Sequence, residues 1–178
     1  ATVTGFQFLK MLLGALGYDA TIEKFTGNNY TVQVAKLATN LKLTKGNGSF
    51  VGTKAMTREE ACLYAFNTLK ATMVEYANKG TNIVVNGITI SQGASAATKV
   101  ETSNDDYRAS KAGEKNNDGY LQFCEQYFSK LKLNDKADVV DTYGRPAHKW
   151  TNDKDKVGTY ADTAALTYTT GVKGTTLV

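Results

Sequence analysis

The sequence predicts an α+β protein. A helical bundle is expected over residues 1–75, followed over 76–178 by β-hairpins and antiparallel sheet with one amphipathic helix near 119–131. Three observations lead there. Two capping boxes, each opening an apolar run at helical spacing, lie within the first 75 residues. An Asn-Gly pair stands between two β-branched runs soon after them. Helices come first and strands afterwards, without the strand–helix–strand alternation of a parallel sheet.

The clearest local signal is Met56-Thr57-Arg58-Glu59-Glu60-Ala61. The Thr57 hydroxyl can accept from the backbone N–H of Glu60, and the Glu60 carboxylate can reach back to the N–H of Thr57. Met56, just before the cap, can pack on Ala61 as a small hydrophobic staple. Ala61, Cys62, Leu63, Tyr64, Ala65, Phe66 and Leu69 are apolar almost all round, which predicts a well-buried helix from Arg58 to about Thr72. The pattern occurs earlier too: Thr4 caps Gln7, and Phe8, Leu9, Met11, Leu12, Leu13 and Leu16 follow. Thr4 aligns with Thr57, Gln7 with Glu60, Leu9 with Cys62, Leu13 with Phe66 and Leu16 with Leu69, a constant offset of 53 that marks an internal repeat.

The first helix is expected over 5–17, ended by Gly17. A loop through Thr21–Asn29 leads to a second helix near 31–41, read from Tyr30, Val34, Leu37, Ala38 and Leu41. Lys45-Gly46-Asn47-Gly48-Ser49 is turn chemistry, and Phe50 and Val51 are expected to tuck into the helical layer. Beyond Glu75, Asn86-Gly87 predicts a type I′ hairpin pairing Ile83–Val85 with Ile88–Ile90. Residues 92–118 read as a surface loop. Tyr120, Leu121, Cys124, Tyr127, Phe128 and Leu131 fit one face of a helix over 119–131. Ala147–Thr151 and Lys156–Tyr160 flank a second hairpin turn, and Leu166–Thr170 and Thr175–Val178 read as edge strands.

Thr57-Arg58-Glu59-Glu60-Ala61, preceded by Gly46-Asn47-Gly48-Ser49-Phe50 and a short loop, resembles the second half of an S-layer homology repeat. Phe25-Thr26-Gly27 and the helix after it resemble that repeat's first half, and residues 2–18 the closing helix of the repeat before. About one and a half repeats are covered. The resemblance implies a secreted protein of a Gram-positive-type cell surface, anchored non-covalently to an anionic cell-wall polysaccharide, with the arginine at Arg58 contacting acidic groups such as a pyruvylated sugar. The chain departs from the family pattern where Gly5 replaces the arginine of the earlier repeat, where Gly27 replaces an aspartate, and where Val51–Ala55 lacks a proline. Gly144-Arg145-Pro146-Ala147-His148-Lys149-Trp150 is similar to segments of larger proteins carrying such repeats and implies no activity. Ala1 opens within a repeat, so the chain is expected to be a piece of a longer exported protein.

The residues themselves point to Arg58 as a binding group. It occupies the first position of a capped helix, beside N–H groups that lack partners within the helix and where the macrodipole favours an anion. The other reading is a surface arginine paired with Glu59 or Asp19. Thr57, Gly46, Asn47, Gly48 and Ser49 are the further candidates for a sugar groove, against a plain helix-to-loop turn. Tyr18, Tyr30 and Tyr64 are candidates for stacking, Tyr64 more readily as a core residue.

Composition narrows the classes. The net charge of +4 suits an anionic polymer, but the lysines are scattered and form no nucleic-acid arm. No apolar run reaches the length of a membrane span, so no insertion is expected. Cys62 and Cys124 lack zinc spacing and read as buried free thiols or, alternatively, one disulfide; no metal or cofactor is expected. Cys124 with His148 lacks an identifiable orienting residue, and Asp105, Asp106, Glu114 and Asp118 lack calcium-loop spacing. The expectation is a non-enzymatic surface module. The alternative is a degenerate scaffold whose β-rich half binds a protein or carbohydrate.

Overall fold

In the computed structural model, residues 2–104, 119–133 and 137–164 are described. The chain forms two compact units, Ala1–Leu131 and Lys132–Val178. The first contains helices α1 (Gly5–Ala15), α2 (Tyr30–Asn40), α3 (Arg58–Leu69) and α4 (Phe123–Tyr127), a 3₁₀ turn at Gly27–Asn29, and strands β1 (Val74–Glu75), β2 (Thr81–Val85), β3 (Ile88–Gln92) and β4 (Thr98–Lys99). The second holds a four-stranded sheet built on β7 (Pro146–Asn152), which pairs with β5 (Leu131–Leu133), β6 (Val139–Val140) and β8 (Asp155–Ala161). Both helices and antiparallel sheets are present, as an α+β chain requires.

Both expected capping boxes are formed. Gln7 N–H donates to Thr4 Oγ1 and Thr4 N–H to Gln7 Oε1; Glu60 N–H donates to Thr57 Oγ1 at 3.2 Å and Thr57 N–H to Glu60 Oε2 at 2.9 Å. α1 packs against both α2 and α3. Their core is Leu9, Leu13, Leu16, Phe25, Val34, Ala38, Leu43 and Tyr64, all within 1% of complete burial. The apolar run of α3 misled in one respect. Only Tyr64 and Thr68 of this helix are buried, and Cys62 is exposed. α1 and the short α4, the helices that contact α3, do not cover an all-round apolar surface, so α3 turns one stripe inward. Both cysteines are free thiols, Cys124 the buried one. Phe50 packs on the core as expected, whereas Val51 points outward with 44% of its surface exposed.

The helical unit does not stop at residue 75. Val74 N–H donates to Leu16 O, Met73 N–H to Leu121 O, Val100 N–H to Met73 O and Leu121 N–H to Val100 O. Met73, Val100 and Leu121 form a second small core, with Phe123 packed between it and the first. These pairings hold Tyr120 and Gln122 in isolated β-bridges with Glu101 and Thr72. They also shorten the helix expected over 119–131 to α4, Phe123–Tyr127, which is followed by Phe128 in a non-helical conformation, φ −129°. Gln122 and Glu125 make a third capping box there, unrecognised because glutamine is not a usual cap.

The Asn86-Gly87 hairpin is formed as expected. Val85 lies opposite Ile88 and Ile83 opposite Ile90, and both tip residues have positive φ, 50° and 79°. The second hairpin turns through Asp153-Lys154, with a bulge at Trp150/Thr151. The expected strands at 166–170 and 175–178 lie outside the described residues.

Tyr76 ties the end of this architecture to the loop after α1. Its hydroxyl donates to Glu23 Oε1 at 2.7 Å and accepts from Asp19 N–H at 3.1 Å. Burial, with Glu23 beside it, pushes the phenol up to about 12 from an ordinary 10.0. Because the folded value is the higher one, this contribution is complete below pH 10 and is lost as pH rises towards 12. The urea midpoint of the wild type should therefore fall more steeply over that window than that of Tyr76→Phe.

Candidate functional site

The candidate site is the N-terminal turn of α3 with the Lys45–Ser49 loop beside it. The loop is held by side chains of α3. Asn47 Nδ2 donates to Glu60 Oε1 at 3.1 Å and to the Tyr64 hydroxyl at 2.8 Å, while Asn47 Oδ1 accepts from Ser49 N–H at 2.9 Å. Asn67 Nδ2 donates to the carbonyls of Leu43 and Lys45. One chain of hydrogen bonds thus runs from the loop through Asn47 and Glu60 to the Thr57 cap. Burial raises the Tyr64 phenol above its ordinary value, with Glu60 adding to the shift and the Asn47 bond opposing it.

Asn47 is therefore committed to positioning the loop rather than open to a ligand. Replacing it with alanine would strand the hydroxyl of fully buried Tyr64 and one oxygen of Glu60. A stability loss of about 1–3 kcal/mol is expected, measurable by urea unfolding. Gly46, Gly48, Ser49 and Thr57 are exposed around this tie.

Arg58 is exposed, and its guanidinium has no ion pair or hydrogen bond among the described residues, with Glu59 and Asp19 included. Asp19 is occupied elsewhere: Oδ1 accepts from Ile22 and Thr21 N–H, which lowers its carboxyl below the usual range. The N–H groups of Arg58 and Glu59 likewise have no partner among the described residues. Glu60 spends both oxygens on Asn47 and Thr57. What the turn offers is a planar fork of donors on Arg58 and two open amides on adjacent residues, groups of the kind that bind a carboxylate or phosphate.

The same turn in α1 is closed. Gly5 N–H donates to Lys54 O at 3.1 Å, Phe6 N–H to Gly52 O at 2.8 Å, and Met56 N–H to Val3 O at 2.9 Å, so the segment before α3 sits across the start of α1. A Cβ on Gly5 would lie 2.8 Å from the Phe50 ring and 3.1 Å from Gly52 Cα. No arginine fits where the repeat offset would put one. Phe50 stands edge-on to Phe6 and to Tyr64, with ring centroids 5.8 Å and 5.7 Å apart, and so binds α1, loop and α3 together.

The remaining candidates separate. Tyr64 is core, and Tyr18 and Tyr30 pack against the same core. Cys124 belongs to the first unit and donates to Gln122 Oε1 at 3.4 Å; His148 belongs to the second and meets Asp162 Oδ1 at 3.3 Å. Asp105, Asp106, Glu114 and Asp118 lie outside the described residues. No group of metal-binding side chains occurs among the described residues. The Gly144-Arg145-Pro146 segment is a turn: Asp141 accepts from the backbone of Tyr143 and Arg145 and from Arg145 Nε at 2.7 Å, and the Arg145 contacts lower its carboxyl. Sequence reading missed Trp150 with Tyr160, whose rings pair at 4.1 Å on one face of the second sheet. No family model, curated protein or solved structure matches the chain.

Proposed function

We propose that the chain is a non-enzymatic cell-surface module of the S-layer homology type, which binds an acidic group of a wall polysaccharide at the α3 N-terminus. The observation that supports this reading is the contrast between two turns that each carry a threonine capping box. In α1 the loop carbonyls of Gly52 and Lys54 occupy the first amides; in α3 those amides and the Arg58 guanidinium stay open. Arg58 supplies the bidentate contact, the amides of Arg58 and Glu59 receive a second oxygen, and Gly46, Gly48 and Ser49 flank the sugar. Glu59 and Glu60 place two carboxylates in the same turn, so recognition depends on the directed fork rather than on bulk positive charge.

Co-sedimentation of the purified chain with cell-wall sacculi tests the reading. Retention on intact sacculi and loss from sacculi stripped of their secondary polymer is the expected result. Equal retention on both, or on neither, overturns it. The alternative, a scaffold whose second unit binds carbohydrate, is favoured by the Trp150–Tyr160 pair and predicts retention that survives Arg58→Ala and fails on Trp150→Ala.

A further inference from the structure

Asn47-Gly48 and Asn86-Gly87 are the asparagine–glycine pairs of the chain. Such a pair carries its own reaction. The main-chain nitrogen of the glycine can attack the side-chain carbonyl carbon of the asparagine, because glycine has no Cβ to hinder the approach. The fold treats the two pairs in opposite ways.

Asn47 is held away from the reaction. Its Nδ2 donates to Glu60 Oε1 at 3.1 Å and to the Tyr64 hydroxyl at 2.8 Å, and its Oδ1 accepts from Ser49 N–H at 2.9 Å. Tyr64 is fully buried and Glu60 is tied to Thr57 N–H, so neither acceptor can follow the amide. Turning the Asn47 side chain onto the Gly48 nitrogen breaks these bonds. A carboxylate in place of the amide would also set a second negative charge against Glu60.

Asn86 has none of these ties. It and Gly87 are exposed, and neither the Asn86 side chain nor the Gly87 N–H has a hydrogen bond among the described residues. A Cβ built on Gly87 meets nothing within 4 Å, so the tip is uncrowded. β2 and β3 form a two-stranded sheet of their own in which every residue is exposed. Two strands without a covered face open at low cost, and each opening releases Asn86 from its turn conformation, φ 50°, towards the geometry of attack. The other end of the hairpin is clamped: Asn78 bonds to Gly93 O, to Ser95 and to Gly80 N–H, so opening starts at the tip.

We propose that Asn86 is a self-modification site, at which the folded chain converts an amide to a carboxylate with water as co-reactant. The Gly87 nitrogen, its proton lost to hydroxide, bonds to Asn86 Cγ; the Cγ–Nδ2 bond breaks, and the nitrogen takes a proton from water and leaves as ammonia. Water then opens the five-membered imide. Attack at Cγ breaks the new bond and leaves aspartate in an unaltered main chain. Attack at the Asn86 main-chain carbonyl breaks the original peptide bond and leaves isoaspartate, with the chain rerouted through Cβ and Cγ. The products differ in consequence. Aspartate–glycine supports a type I′ turn as asparagine–glycine does. Isoaspartate lengthens the tip by one backbone atom, which a two-residue turn cannot absorb, so Val85 and Ile88 lose their register. Either product puts the first charge into the stretch 80–98.

Peptide mapping by mass spectrometry of the whole chain, aged at two mildly alkaline pH values, tests this. In the folded chain Asn86 should be modified about tenfold faster than Asn47 or more, since Asn47 must first give up its hydrogen bonds. Both rates should rise with hydroxide. In guanidinium chloride, where the fold is gone, the two rates should converge. Tyr64→Phe removes one acceptor and should speed Asn47 while leaving Asn86 unchanged. The isoaspartate fraction, separated by ion exchange, should lose hydrogen-exchange protection at Ile88, whereas Asn86→Asp retains it. Asn47 reacting as fast as Asn86 in the folded chain overturns the proposal. So does an Asn86 amide that persists in the folded chain while reacting in denaturant, or a ratio of rates that denaturant leaves unchanged. An isoaspartate fraction with Ile88 still protected overturns the loss of register.

Discussion

Gly17→Ala should destabilise the first unit by about 3–5 kcal/mol, the largest effect expected of a methyl group added at any described glycine. Gly17 follows α1 at φ 107°, outside the region any side chain adopts without strain, which costs on the order of 1–3 kcal/mol. A Cβ there would also lie 2.1 Å from the Val74 carbonyl oxygen, a backbone atom that cannot swing away. Relieving that overlap must pull β1 from the end of α1 and break the bond from Val74 N–H to Leu16 O at 2.9 Å. Overpacking of this kind adds roughly 1–3 kcal/mol. Urea unfolding read by near-ultraviolet circular dichroism measures the loss. A change under 1 kcal/mol would mean that the α1–β1 junction yields. Gly14→Ala, with nothing within 4 Å of its Cβ position, is the control and should be neutral or stabilising.

Arg58→Ala should leave folding almost unchanged and weaken binding of purified wall polymer by about 1.5–3 kcal/mol, roughly ten- to a hundredfold. Stability is spared because the exposed guanidinium has no partner among the described residues. Binding suffers because a charge-assisted, two-pronged contact disappears. Arg58→Lys should recover only part of it, since an ammonium lacks the planar fork. Titration of polymer into wild type and both variants at two salt concentrations measures this. Unchanged affinity for Arg58→Ala would make the α3 turn a scaffold.

Features encoded within a few residues were readable from the sequence. Thr4 with Gln7, Thr57 with Glu60 and Asn86 with Gly87 each specify their own hydrogen bonds or dihedrals. Features decided across the chain were not. Tyr120–Gln122 has the spacing of a helix, but bonds from Met73 and Val100 hold it extended. Cys62 lies in an apolar run, but the direction of burial depends on where α1 stands. Asn47 reads from the sequence as one of four candidates for a sugar groove or as part of a plain helix-to-loop turn; the acceptor groups that claim it, Glu60 and Tyr64, stand 13 and 17 residues away. Arg58 was legible as a candidate, yet the closure of its counterpart at Gly5 required knowing that Gly52 packs against it.

The segment lying across the start of α1 also sets the order of assembly. α1 has 11 residues, too few to persist alone in water, where isolated helices below about 12–15 residues are marginal. Among the described residues its first two amides find their acceptors at Gly52 and Lys54, and Val3 O its donor at Met56. A chain emerging from its N-terminus must therefore carry an unfinished first helix until the beginning of the third has appeared. α1 and α2 can pack on one another first, but α1 is completed only when that loop closes and α3 begins. Until then the first turn of α1 lacks its acceptors, so the helix that carries Leu9, Leu13 and Leu16 into the core draws its start from a segment nearly fifty residues away.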